Sequence, residues 1–221
     1  MKTAIEQHLY DQFRRPRGPL GRVAGRIMSQ RSSNIERSRW TVELLQLRPD
    51  ARVLELGYGP GLGIQAALDA APVGHVIGID HSSTMRSMAA NRNATALREG
   101  RATLLIGDAQ DPPADLGVFD AIFCCNVWLF WNDPAVTIER LANMLEPAGT
   151  LAITHLPRHG APSADDTDRA ARLIEEQMHE AGLHGVERTY LLLEPAPAVC
   201  VTGQPAHPST EPGTGPRPTG S

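Results

Sequence analysis

The sequence predicts an α/β protein: a doubly wound sheet of seven strands, mostly parallel with an antiparallel final strand, and helices on both faces. Three observations carry this. Between Arg52 and about Gly203, short β-branched runs alternate with amphipathic helical patterns. The first run, Val53 to Leu56, passes directly into a glycine-rich turn and then a helical pattern. The last two runs are separated only by Glu194-Pro195-Ala196-Pro197, too few residues for a crossover helix, so those strands pair antiparallel.

The elements follow in order. After the breaker cluster Arg14-Arg15-Pro16-Arg17-Gly18-Pro19, the residues Leu20, Val23, Ala24 and Ile27 recur at helical spacing and predict a short amphipathic helix. A second helix is expected from Ser32 to Leu47, with apolar weight from Trp40, Leu44, Leu45 and Leu47, stopped by Arg48-Pro49-Asp50. Residues 1–49 are thus expected to form a helical arm or lid, and residues 50–203 the catalytic domain. Strands are expected at Val53–Leu56, His75–Ile79, Thr103–Ile106, Val118–Cys124, Thr150–Thr154, Arg188–Leu193 and Ala198–Val201. Helices fall near 62–70, 83–97, 134–145 and 166–181. Ser82 and Ser83 are available as the N-cap of the second of these. The third is well marked: Asp133 suits the N-cap, Pro134 the first helical position, and Ile138, Leu141, Ala142 and Leu145 form the buried stripe. From Gln204 to Ser221 the chain is rich in proline and glycine and nearly free of apolar residues. That stretch is expected to be a disordered tail.

Composition narrows the function classes. With 221 residues, 41% apolar and 21% charged, the chain has room for one α/β domain with appendages and has no apolar run long enough to span a bilayer. Met1 to Arg17 is polar and mixed, unlike a secretory leader, and the chain is read as cytoplasmic. Cys124, Cys125 and Cys200 are odd in number, lack C-x-x-C spacing and lie in apolar runs, which points to buried thiols. Among the 21 basic residues Lys2 is the only lysine. P-loop, Schiff-base, kinase and Tyr-x-x-x-Lys chemistries all need a lysine that this chain lacks. Residues 1–52 hold eleven basic groups against five acids, so the rest of the chain is strongly acidic. Nucleic acid is disfavoured as a partner because the basic segment holds few aromatics and adjoins an acidic body able to hold it.

The strongest local signal is Val53-Leu54-Glu55-Leu56-Gly57-Tyr58-Gly59-Pro60-Gly61. Such a turn brings a ligand against bare backbone beside a helix N-terminus. In a later frame, Gly61-x-Gly63-x-x-Ala66 fits the dinucleotide fingerprint with Asp80 downstream, but it starts four residues past the strand end. Electrostatics separates the readings. A carboxylate at the strand tip opposes a pyrophosphate by about 3 kcal/mol at ~5 Å and an effective dielectric of ~20, and attracts a ligand bearing an ammonium or a sulfonium.

In these motifs the sequence resembles the class I S-adenosylmethionine-dependent methyltransferases, over roughly residues 50 to 203 and with a Rossmann-like sheet. Glu55-x-Gly57-x-Gly59-x-Gly61 stands as their first motif. Gly78-Ile79-Asp80 matches the second, continuing His81-Ser82-Ser83-Thr84-Met85 as in the quinone-pathway C-methyltransferases. Gly107-Asp108-Ala109 matches the third. Phe119-Asp120-Ala121-Ile122-Phe123 followed by Asn126 is similar to the fourth, and Leu145-Glu146-Pro147-Ala148-Gly149-Thr150 to the L-x-P-G-G turn, with Ala148 replacing a glycine. The resemblance implies S-adenosyl-L-methionine as cofactor, with Asp80 at the ribose and Asp108 and Ala109 at the adenine. The cofactor-binding set is then Glu55, Gly57, Tyr58, Gly59, Gly61, Asp80, His81, Met85, Asp108, Ala109 and Asn126. Met85 and Met88 read as core rather than as cofactor contacts.

Methyl transfer from a sulfonium is an in-line displacement needing alignment and exclusion of water, without a nucleophilic side chain or a metal. A carbon or oxygen acceptor must lose a proton, and His155, at the end of the fifth strand, is the candidate base. Tyr58, inside the glycine loop, is a second candidate contact to the acceptor. His155-x-x-x-His159 has metal-ligand spacing, but Pro157 forbids the aligning helix, so no metal site is expected. Trp128, Phe130 and Trp131 are expected over the pocket, as its wall or as packing. The acceptor is expected to be a small molecule. The alternative reading is a non-methylating nucleotide-binding protein, either an NAD(P)-dependent reductase or a regulatory module. The oligomeric state is open, a homodimer included.

Overall fold

The computed structural model describes residues 32–158 and 161–206. The helix expected at 20–27, His159 and the tail from residue 207 lie outside that range. The described chain runs α1 (Ser32–Leu44), β1 (Arg52–Leu56), α2 (Leu62–Ala70), β2 (His75–Asp80), α3 (Ser83–Arg92), α4 (Ala94–Arg98), β3 (Ala102–Ile106), β4 (Phe119–Cys125), α5 (Pro134–Ala142), β5 (Leu145–His155), α6 (Ala164–Glu180), β6 (Leu183–Leu191) and β7 (Ala198–Pro205). Single 3₁₀ turns sit at Ala114–Leu116 and Trp128–Phe130.

The seven strands form one sheet in the order β3-β2-β1-β4-β5-β7-β6. β1 pairs parallel with both β2 and β4, so the chain reverses direction across the sheet between them. Such a switch point opens a crevice beyond the strands' C-terminal ends. β7 runs antiparallel to β5 and to β6, as the short Glu194–Pro197 connection requires. The sheet core is continuous: Leu54, Leu56, Ile122, Phe123, Leu151 and Ile153 are fully buried. Parallel strands covered on both faces show this unbroken apolar pattern.

The helix expected over 32–47 ends at Leu44 and the strand expected from Thr150 begins at Leu145, and four further departures have a local reason. The helix expected over 83–97 is two helices, broken at Asn93. The Asn93 side-chain amide donates to Ala89 O at 3.0 Å and to Gly61 O at 3.2 Å, which holds it out of helical geometry. The helix expected over 134–145 has its Asp133 cap and Pro134 start but stops at Ala142, because Leu145 pairs with Phe119 at the head of β5. β6 begins at Leu183, five residues before the expected start, through pairing with β7 across a register shift. β7 extends to Pro205, so Gln204 and Pro205, expected to begin the tail, pair instead with His184 and Leu183. Their backbone ladder compensates for side chains with little to bury.

α1 packs on α2 and reaches β4. Its buried residues are Asn34, Arg37, Ser38, Thr41 and Val42, with Leu45 just beyond the helix end. The spacing is helical, but the stripe changes character along its length. Val42 and Leu45 join the hydrophobic cluster with Ile64 and Phe123 and contribute about 1.5–3 kcal/mol each by burial. The N-terminal half of the stripe is polar.

Candidate active site

The glycine loop leaves β1 with Gly57, Gly59 and Gly61 all at positive φ, a conformation that side chains with a Cβ rarely adopt. Two of these positions are also crowded. A Cβ on Gly57 would strike Val127, and one on Gly61 would lie 2.8 Å from the Ala89 methyl. Gly59 faces open space, so backbone is the surface a ligand would meet there.

Two carboxylates flank this loop. Glu55 is 3% exposed and sits under the start of α2, where the Ile64 N–H donates to it; its Oε2 has no partner. Burial pushes the Glu55 carboxyl well above its ordinary value of 4.5, while the Ile64 N–H pulls the other way. Asp80, 7% exposed at the tip of β2, accepts from Gly59 N–H at 2.9 Å and from Ser82 N–H at 2.8 Å. Desolvation raises its carboxyl too, against those two backbone donors. A carboxylate has about four acceptor positions, so Asp80 keeps capacity for ligand hydroxyls after both bonds.

Asn126 closes the β4 side of the crevice. It has φ +59°, its amide donates to Leu156 O at 3.1 Å, and its Oδ1 accepts from Leu156 N–H at 2.8 Å. This clasp fixes the ends of β4 and β5 together. Asp108 is exposed after β3; both its oxygens accept from Gln110, through the backbone N–H at 3.1 Å and Nε2 at 2.9 Å. Gln110 Oε1 then accepts from Asn132 N–H at 2.9 Å, joining the rim after β3 to the rim after β4. Ala109 is buried beside this turn.

Two expected site residues, Tyr58 and Met85, lie in the core instead. Tyr58 is 2% exposed, with its ring over Gly78 and its hydroxyl donating to Leu105 O at 3.2 Å. This placement corrects the expectation that it reaches the acceptor: the αL turn at Gly57 and Gly59 sends its side chain down onto the sheet. Met85 is 1% exposed in the apolar cluster, and its N–H caps onto Ser82 Oγ. His81 is exposed beyond the strand tip.

His155 ends β5, is 7% exposed and meets the Trp128 ring edge-on at 6.1 Å between centroids. Trp128 is held by its indole N–H on Gln177 Oε1 at 2.6 Å, and it packs with Trp131 in the larger apolar cluster. Trp128 and Trp131 are therefore part of that core. Among the described residues no three of His, Cys, Asp and Glu gather as a metal site, and no helix is long and apolar enough to cross a membrane.

Sequence reading missed Arg37. It is 7% exposed, on the polar half of the α1 stripe. Asn34, Arg37, Ser38 and Thr41 stand at i, i+3, i+4 and i+7, and a wholly polar stripe at buried spacing was the available signal. Thr41 Oγ1 shares a 2.7 Å hydrogen bond with Thr154 Oγ1, placing this stripe beside the end of β5. Arg158 donates to Asn34 Oδ1 at 2.6 Å, bringing the start of α1 to the catalytic edge.

The site thus combines a seven-stranded sheet with a reversed last strand, a glycine loop at its switch point and buried acids near the ends of β1 and β2. Residues 54–153 match the family model described as a methyltransferase domain. The chain is 28% identical over 182 residues to the uncharacterized methyltransferase YdaC of Bacillus subtilis (strain 168), covering 82% of this chain and 97% of that one. It is 33% identical over 120 residues to nocamycin O-methyltransferase of Saccharothrix syringae, covering 53% of this chain and 42% of the relative. In fold it is similar to the N-methyltransferase NodS from Bradyrhizobium japonicum WM9, solved with S-adenosyl-L-homocysteine. The TM-score is 0.66 at 17% identity, over 91% of this chain and 98% of NodS.

Proposed function

We propose that this methyltransferase binds S-adenosyl-L-methionine across Glu55, the Gly57–Gly61 loop and Asp80, and moves its methyl group to a small-molecule acceptor in the cytoplasm. The observation carrying the cofactor reading is the pair of buried carboxylates at a bare-backbone loop. They fit a ligand with a ribose diol and a positive charge, and oppose a pyrophosphate. The sulfonium cofactor supplies an activated methyl group. Asp80 holds the ribose hydroxyls, the Gly59 backbone lies against the ligand, and Asp108 with Ala109 borders the adenine end. His155, at the end of β5, is the residue we assign as proton acceptor for an oxygen or carbon acceptor. The small-molecule reading draws support from nocamycin O-methyltransferase and NodS, and the cytoplasmic one from three free cysteines.

Calorimetry on the full chain tests the cofactor. S-adenosylhomocysteine is expected to bind, and NAD and NADP to give no heat; binding of NADP without S-adenosylhomocysteine would refute the reading.

The raised carboxyl of Glu55 adds a pH dependence. An ammonium-bearing ligand favours ionised Glu55, so binding releases the proton that burial retains in the free protein. Affinity for S-adenosylhomocysteine therefore rises with pH, by up to about tenfold per unit, until Glu55 is ionised in the free protein as well. Because the folded state holds this proton more tightly than the unfolded one, ligand-free stability falls over the same range. Glu55→Gln is expected to flatten both profiles. Equal slopes for the variant and the parent protein would show that another group is responsible.

A further inference from the structure

We propose that Gln110 is a positioning residue: it fixes the Asp108 carboxylate as an acceptor for the amino group of a 6-aminopurine, and its own amide is oriented from the rim after β4 by the Asn132 N–H. The inference rests on the cofactor reading above and deepens it, because it assigns purine selectivity to a residue beyond the Gly107-Asp108-Ala109 motif.

The turn that carries Asp108 starts beside the ribose acid. Ile106 pairs with Asp80 in the sheet, and Gly107 N–H donates to Asp80 O at 3.1 Å. Asp111 N–H then donates back to Asp108 O at 3.2 Å, closing a turn over 108–111. Asp108 is exposed in this turn, where an aspartate ordinarily samples several rotamers. Here one residue holds both of its oxygens. Oδ1 accepts from Gln110 N–H at 3.1 Å and Oδ2 from Gln110 Nε2 at 2.9 Å, which stops rotation of the carboxylate. Each oxygen keeps a further lone-pair position for a ligand.

The direction of the Gln110 amide follows from its other partner. Gln110 Oε1 accepts from Asn132 N–H at 2.9 Å, and a backbone N–H can only donate. An ionised carboxylate can only accept. A flipped amide would set N–H against N–H and oxygen against carboxylate, so one orientation satisfies both ends. Arg140 braces the same residue from α5: its Nη1 donates to Gln110 O at 3.2 Å and pairs with Asp111. These groups are exposed or half-buried, where hydrogen bonds contribute modestly to folding stability. What the network supplies is a carboxylate with fixed free acceptor positions and no donor. A 6-amino group donates to it, whereas a 6-oxo group in the same place sets oxygen against oxygen.

The test compares S-adenosylhomocysteine with S-inosylhomocysteine, which carries a 6-oxo in place of the 6-amino group. Both are titrated by calorimetry into the full chain, Gln110→Ala and Gln110→Glu, with circular dichroism melts to verify folding. The parent chain is expected to prefer the 6-amino ligand by about 30-fold or more, since the 6-oxo ligand loses a hydrogen bond to a charged group. Gln110→Ala is expected to reduce that preference by about tenfold through weaker binding of S-adenosylhomocysteine, with S-inosylhomocysteine within about twofold. Gln110→Glu keeps an acceptor for Asn132 N–H but turns a second acceptor towards Asp108, and is expected to lose the preference as fully as alanine. Equal weakening of both ligands in the variants would show a structural role and overturn the proposal. So would a preference unchanged in Gln110→Ala or kept in Gln110→Glu. If the unsubstituted chain binds S-adenosylhomocysteine without preferring it, the proposal falls while the cofactor reading stands. If it binds neither ligand, both fail.

Discussion

Asp80→Ala is expected to lower affinity for S-adenosylhomocysteine by at least about 100-fold and to abolish methyl transfer at ordinary cofactor concentrations. Each ribose hydroxyl held by a carboxylate is worth about 1.5–3 kcal/mol, and the substitution removes both. It also strips the acceptor from Gly59 N–H and Ser82 N–H, which are 2.9 Å and 2.8 Å from the carboxylate. Leaving those donors unpaired costs about 1–3 kcal/mol each where water cannot reach them. The melting temperature is therefore expected to fall as well. Asp80→Asn separates the two effects, because one oxygen remains for a backbone donor while the charge is lost. Binding and melting measured on both variants give the result. Near-parental affinity in Asp80→Asn would mean that the diol is held elsewhere.

Gly61→Val is expected to be the most destabilising single change in the loop, by about 2–5 kcal/mol. The residue sits at φ +81°, where a β-branched side chain is strained by about 1–2 kcal/mol. Its Cβ would also lie 2.7 Å from Asn93 Nδ2, 2.8 Å from Ala89 Cβ and 2.9 Å from Ala89 Cα. Overpacking of that kind adds about 1–3 kcal/mol. Ala89 is backbone-bound within α3 and cannot swing away, so the loop or the helix must shift. Chemical denaturation measures the loss. A change below about 1 kcal/mol would show that the loop adopts another conformation in solution. Gly59→Ala is the comparison, since it has similar backbone strain and open space around its Cβ.

Much of this molecule was legible in the sequence because its signals are local. The reversed hairpin follows from four residues between two strands, and the caps at Ser82 and Asp133 follow from residue type and position. The glycine loop, Glu55 and Asp80 were readable for the same reason: each is contiguous with a strand end. What escaped depends on contacts across the fold. Tyr58 reads as a loop residue free to meet a substrate, yet Gly78 on the neighbouring strand leaves the space that its ring fills. Asn93 reads as an ordinary helix residue until Gly61 is placed beside it. Arg37 lies 18 residues before Glu55 in a helix with no motif. Only the packing of α1 against α2 and β4 shows that its charge is buried.

The loop's hydrogen bonds bear on the thermodynamic character of binding. Gly57 N–H donates to Ile79 O at 2.7 Å, Gly59 N–H to Asp80, and Gly61 N–H to Tyr58 O at 2.9 Å, while Gly61 O accepts from Asn93. The backbone that a ligand would meet is thus tied to β2, to α3 and to itself before any ligand arrives. Its ordering entropy is spent during folding, so the ligand's contact energy goes into affinity with little deducted for shaping the cradle.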